Sequence, residues 1–188
     1  KKAIRIDPDY GLSHWNLSLA LLSIGKTAEG FDEMKWRWKW KEFPSKRRKL
    51  GPPVWSGEDL SNKAIFIYPE QGLGDAIQFI RYSRELLHLA KHVILEVPKP
   101  LSRLVNTPNL ATKIITEGET VPAFDFHATY VDLPVIMKTN SASIPSHVPY
   151  LETSPFLKKK FAKIIGGYTG KKIGINWFGN KQNPADRF

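Results

Sequence analysis

The sequence predicts an α/β protein, a mostly parallel sheet covered on both faces, preceded by an all-helical segment. Three observations lead there. From residue 61 onward, short runs of branched and aromatic residues alternate with stretches of helical period, the rhythm of strand, crossover and parallel strand. Before residue 42 apolar residues recur at helical spacing instead. Between the two regions, Pro44, Gly51, Pro52, Pro53 and Gly57 forbid long regular elements. The expected division is a helical segment at 1–41, a linker at 42–60, a sheet domain at 61–170 and a further strand-led unit from 171 to 188.

Taken in order, "AIRIDPDY" supplies the end of a helix and a proline stop, and "LSHWNLSLALLSI" (12–24) forms a helix with a broad apolar face. Gly25 ends that helix and "TAEGFDEMKWRW" begins another, so the two form a helical hairpin. In the sheet region "KAIFIYP", "HVILEVP", "TKIIT", "FDFHATYVDLP" and "KKIGINWF" read as strands. "DAIQFIRYSRELLHLA", "PLSRLVN" and "SPFLKKKFAKIIGGY" read as helices.

A step of about 34 residues from Ala3 reaches Arg37 at the matching place in the hairpin. Asn16, Leu17, Ala20, Gly25 and Gly30 fall where the tetratricopeptide repeat has its Asn-Leu pair, small residue, turn glycine and small packing residue. The segment resembles the last repeat of such an array, departing from it where Glu42 replaces the terminal proline. A single repeat buries only part of its apolar surface, so further repeats are expected before residue 1.

The chain has 188 residues, enough for a full domain with a core. It has no cysteine, which removes disulfide frameworks and thiolate metal sites and fits a reducing compartment. No apolar run approaches the roughly 20 residues that span a bilayer. The formal charge of +10 is concentrated: residues 35–49, "KWRWKWKEFPSKRRK", carry eight basic and one acidic side chain. With Trp36, Trp38 and Trp40 interleaved, this stretch could stack bases and neutralise phosphates. No base-reading module accompanies it, so nucleic acid is disfavoured, and the tryptophans are expected to dock on the neighbouring domain.

In a parallel sheet of this kind, ligands sit beyond the carboxyl ends of the strands. There the sequence places "PEQGLGD", "VPKP", "ATYVDLP" and "FGNKQNP". "GLGDAI" has the first two glycines of a dinucleotide fingerprint, but Ile77 replaces the third and Asp75 would repel a pyrophosphate. The residues alone leave Asp75 between two roles: helix N-cap, with Gln78 three residues on, and general base. Gln71 is open between holding the turn and donating to a ligand. A lone His127 reads most simply as a structural residue at a strand end.

The run "WSGEDLSNKAIFIYPEQGLGDAIQFIRYS", followed by "VILEVPKPLSRL", "FDFHATYVDLP", "IPSHVPYL" and "IGINWFGN", resembles bacterial tetratricopeptide proteins that carry a heptosyltransferase-like glycosyltransferase domain. That resemblance implies the GT-B fold, in which two Rossmann-like halves flank the active site, with this chain holding the acceptor half and the first strand of the donor half. It implies an inverting transfer from a nucleotide sugar, used as substrate with no cofactor, to a protein or glycan acceptor in the cytoplasm. Asp75 would be the general base, with Gln71, Gly74 and His127 at the acceptor. Gly179 and Asn180 would contact the donor diphosphate, with Lys181 and Arg187 as charge partners. The alternative is a non-catalytic interaction scaffold in which the sheet supports the repeats.

Overall fold

The chain begins with α1 (Lys2–Ile6) and turns at Pro8 into α2 (Gly11–Ser23). The C-terminus of α2 is closed by Gly25 in the left-handed region (φ 77°): Gly25 N–H donates to the Leu22 carbonyl and Lys26 N–H to that of Leu21. A side chain at Gly25 would strain this closure. α3 (Thr27–Met34) then returns along α2. Gly30 sets their approach, because a Cβ there would stand 2.7 Å from Leu22 Cγ. The helix expected to run on through "MKWRW" tightens after Met34 into a 3-10 turn, Lys35–Lys39. With three residues per turn instead of 3.6, that change re-aims the following side chains. Arg37 swings inward and its Nη1 donates to the Met34 carbonyl at 3.1 Å.

In this computed structural model, which describes residues 2–105 and 109–175, the sheet has four parallel strands: β1 (Ala64–Tyr68), β2 (His92–Val97), β3 (Lys113–Thr116) and β4 (Phe126–Thr129). Their order is β3-β2-β1-β4, which makes the protein mixed α/β and is compatible with a Rossmann-like fold. β1 is central, with Ile65 opposite Val93 of β2 and opposite Phe126 of β4. Alternation sends Ile65, Ile67, Val93 and Leu95 to one face, where they meet Ala76, Phe79, Leu86 and Leu133 of the crossover helices. Phe31 and Met34 of α3 join the same core, and the Phe31 ring meets Phe79 edge-on at 6.4 Å. Phe66, Tyr68, Ile94 and Ile115 point to the other face. Leu50, Val121 and Phe124 cover it, so non-helical segments do there what helices were expected to do.

The proline-rich stretch 42–60 is packed against the sheet. Phe43, Trp55 and Leu60 are buried, Val54 forms a parallel bridge to His127, and Trp55 N–H donates to the His127 carbonyl at 2.8 Å. Lys1–Thr153 form one compact unit and Ser154–Phe188 a second. In the second unit, α7 (Pro155–Gly166) matches the expected helix, while residues 171–175 form no strand.

Two expected elements are divided. The helix after β1 is α4 (Leu73–Phe79) and α5 (Tyr82–Leu86). Ser83 breaks it: both its N–H and its hydroxyl donate to the Ile80 carbonyl, the back-bonding that bends helices. "FDFHATYVDLP" is strand only to Thr129, and α6 (Asp132–Ile136) follows. The cause is a capping box: Asp132 N–H donates to Thr129 Oγ1 at 3.3 Å and Thr129 N–H to Asp132 Oδ2 at 3.2 Å. Among its described residues, "PLSRLVN" shares in a 3-10 turn, Lys99–Leu101, and forms no longer helix.

Ser18 on α2 is fully buried, and its hydroxyl has no hydrogen-bond partner among the described residues. Ser18→Ala is therefore expected to leave stability unchanged or raise it by up to about 1 kcal/mol, because it deletes an unsatisfied group and adds helix propensity. A urea midpoint that falls instead would show that the hydroxyl is used.

Candidate functional site

The strand order reverses between β1 and β4, so the crevice beyond their carboxyl ends is where a sheet of this type takes ligands. Three carboxylates stand there: Glu70 and Asp75 after β1, and Asp132 after β4. Two of them are internally neutralised. Arg37, with no exposed surface, donates Nε to Glu70 Oε1 and Nη2 to Glu70 Oε2, each at 2.6 Å. The same Nη2 reaches Asp132 Oδ1 at 2.7 Å. Arg47 Nη2 donates to both Asp132 oxygens at 3.1 Å, and Trp38 Nε1 to Oδ1 at 3.2 Å. The Trp38 ring lies 4.4 Å from the Arg37 guanidinium carbon and 4.5 Å from that of Arg47.

The electrostatics follow from this packing. Burial would push the Asp132 carboxyl up, but Arg37 and Arg47 together hold it below the usual carboxylate range. For Arg37, burial opposes the charge, while its bonds to Glu70 and the field of Asp132 raise its pKa above the ordinary value. Alongside, Arg48 makes a two-pronged pair with Glu96 (3.0 and 2.6 Å) and covers the Tyr68 ring.

Asp75 is different. It is half-buried, forms no ion pair among the described residues, and accepts one hydrogen bond, from Gly72 N–H to Oδ2 at 3.1 Å. It is not the N-cap: Gly72 occupies that position and Asp75 stands three residues on, reaching back to it. Since glycine has no side chain, only this half of a capping box exists. Gly74 is exposed, and a Cβ there would meet nothing within 4 Å. It lies at the lip of a 350 Å³ cleft between α3 and α4, walled by Phe31, Ile77, Gln78, Arg81 and Tyr150. Arg81 stacks on the Tyr150 ring at 4.3 Å, and Tyr150 donates to the Ile77 carbonyl at 3.1 Å, tying the outer wall to α4. A larger cleft, 490 Å³, is lined by Trp55, Glu85, His88 and Met137 where α5 leads into β2, away from this edge.

Gln71 is turned inward, its Nε2 donating to Glu70 Oε1 at 3.2 Å, which favours the turn-holding role. His127 is inside β4, 2 % exposed, on the face opposite the one that α4 covers, and it shares a 3.4 Å hydrogen bond with the Tyr68 hydroxyl. The structure does not bring it together with Asp75. Gly179, Asn180, Lys181 and Arg187 lie outside the described residues.

Burial pushes the His127 ring below its ordinary value, and Arg47 adds to the shift. The unfolded chain therefore takes up this proton first. The contribution is intact above about pH 6.5 and is lost as pH falls towards the folded value. The urea midpoint should drop between pH 7 and pH 5, and drop less in His127→Asn. Equal pH slopes in the two proteins would contradict this.

Of the three tryptophans, Trp38 reaches the sheet unit's Asp132. Trp36 stacks on His14 of α2 (4.0 Å, 8°), and Trp40 packs on Phe43. The basic segment is largely spoken for, since Lys35, Arg37, Lys39, Arg47 and Arg48 all pair with carboxylates. Arg37, Glu70 and Asp132 escaped the sequence reading as site residues. The one local signal was the Thr-x-x-Asp spacing of Thr129 and Asp132, which marks a helix start.

Fold and site together define a mixed α/β protein with a four-stranded parallel sheet and an acidic, arginine-locked carboxyl edge. Among the described residues no helix is long and apolar enough to cross a membrane. The chain is similar to Protein FlbA of Caulobacter vibrioides, 22% identical over 194 residues that cover 93% of this chain and 33% of that protein. It thus spans about a third of the length of that relative. No family profile and no solved structure matches it.

Proposed function

We propose that the chain is the acceptor-side half of an inverting, heptosyltransferase-like GT-B glycosyltransferase, with Asp75 as general base. The observation that carries this reading is selective: of the three carboxylates at the β1/β4 edge, Glu70 and Asp132 are held by arginines, whereas the half-buried Asp75 has no arginine among the described residues and follows Gly74, an open glycine at the lip of a cleft. In the step proposed, the acceptor hydroxyl gives its proton to an Asp75 oxygen while its oxygen attacks the anomeric carbon. The bond to the diphosphate breaks, and the nucleoside diphosphate leaves with the electron pair from the opposite face. Gly74 admits the acceptor to that carboxylate, and Gln71 acts by fixing the turn. The donor-phosphate roles of Gly179, Asn180, Lys181 and Arg187 belong to the same proposal, as does the cytoplasm as the place where nucleotide sugars are found.

The helical hairpin is then the end of a tetratricopeptide array that recruits a protein acceptor. Its packing supports this reading: Leu19 and Ile24 of the expected apolar face are 46% and 69% exposed, an uncovered surface of the kind a preceding repeat covers. The test is transfer from nucleotide sugars by the full-length protein, wild type against Asp75→Asn. Loss of transfer in the variant is the expected result. Equal transfer by both overturns the assignment of Asp75 as the base, and no transfer by the wild type leaves the interaction scaffold as the remaining reading.

A further inference from the structure

We propose that Arg37 is a positioning residue, the point through which the helical hairpin sets the conformation of the Gln71–Asp75 turn. Its consequence for catalysis rests on the Asp75 reading; its geometry does not. Glu70 is the residue immediately before the turn, and besides Gln71 itself its anchors come from elsewhere in the fold. Arg37 of the 3-10 turn grips both carboxylate oxygens. Thr129 of β4 donates to Oε2, and Ser45 of the segment after the hairpin donates to the backbone carbonyl. Glu70 in turn holds Gln71 through Oε1.

The turn itself has little of its own. Gly72, Leu73 and Gly74 are exposed, and where the turn runs into α4 it is tied by the Gly72 N–H donated to Asp75 and by the Ala76 N–H donated to the Gly72 carbonyl at 3.0 Å. An exposed, glycine-rich turn takes its conformation from whatever fixes its ends. One end is α4, which packs on the core through Ala76 and Phe79, and the other is Glu70. Because Arg37 follows α3 directly and also spans Glu70 and Asp132, a displacement of the hairpin and a displacement of the turn are one event. A partner seated on the hairpin would thereby change the placement of Asp75 without touching it.

Arg37→Lys in the full-length protein separates this from simple packing. Lysine keeps the charge but not the planar fork that holds two oxygens at once. Amide hydrogen exchange in peptides covering residues 70–79 should rise roughly tenfold or more, while α2 and β2 keep their protection. With nucleotide sugar as substrate, kcat should fall with the donor KM unchanged. Unchanged exchange at 70–79, or an equal rise throughout β1 and β2, overturns the proposal. If Arg37→Lys does not fold, Glu70→Gln, which leaves Arg37 paired with Asp132, is read by the same two patterns. Faster exchange confined to the turn, in a protein whose wild type transfers no sugar, supports the positioning role and overturns the catalytic reading alone.

Discussion

Asp75→Asn is expected to slow sugar transfer on the order of 10²-fold or more while leaving the unfolding midpoint nearly unchanged. The two effects separate because the side chain has two separable properties. Its structural task is to accept a hydrogen bond from Gly72 N–H, and the asparagine carbonyl oxygen does that equally well. Its proposed chemical task is to accept a proton from a hydroxyl, which a neutral amide does not do at working pH. No ion pair among the described residues is lost in the exchange, so the stability change should stay within about 0.5 kcal/mol. Thermal unfolding and turnover measured on the same preparation check both halves. Near-normal turnover would leave Asp75 with helix capping as its role. A large loss of stability would mean that the rate cannot be read as chemistry.

Arg37→Met should destabilise the protein by about 3–5 kcal/mol. Methionine fills a similar volume, so the loss is not mainly one of packing. It arises because Glu70, whose side chain is 1% exposed, would keep a buried charge with, among the described residues, only the Gln71 amide and the Thr129 hydroxyl to answer it. Adding Glu70→Met should recover most of the loss, since replacing both members of a buried pair with apolar groups is often neutral. Arg47 remains on Asp132 in the double variant. Urea unfolding of the wild type, both single variants and the double variant gives the coupling directly. If the double variant is as unstable as the sum of the singles, the contribution of Arg37 lies instead in its stacking on Trp38 and its bond to the Met34 carbonyl.

Much of the fold was legible locally because strands and helices announce themselves by period. "KAIFIYP", "HVILEVP" and "TKIIT" each contain the strand expected of them, and Gly25 and Gly30 mark the hairpin turn and the close approach of α2 and α3. Those signals depend on a residue and its near neighbours, so a sequence carries them openly. The division of the helix after β1 was less legible: it depends on whether the Ser83 hydroxyl turns back to the Ile80 carbonyl, which the apolar pattern does not record.

The candidate site divides along the same line. By itself the sequence determined that a glycine-flanked carboxylate, Asp75, stands on a strand-to-helix turn, because that is a property of twelve consecutive residues. Only the tertiary structure decided which carboxylates at this edge are left unpaired. Arg37 and Glu70 are 33 residues apart, and Arg37 and Asp132 are 95 apart. Nothing in the run "KWRWKWKEFPSKRRK" distinguishes the arginine that is buried from the lysines that are not. The difference is made by the switch from α-helix to 3-10 turn at Met34 and by the return of β4 beside β1. Together they bring Arg37, Glu70 and Asp132 into one dry volume, where opposite charges have to meet.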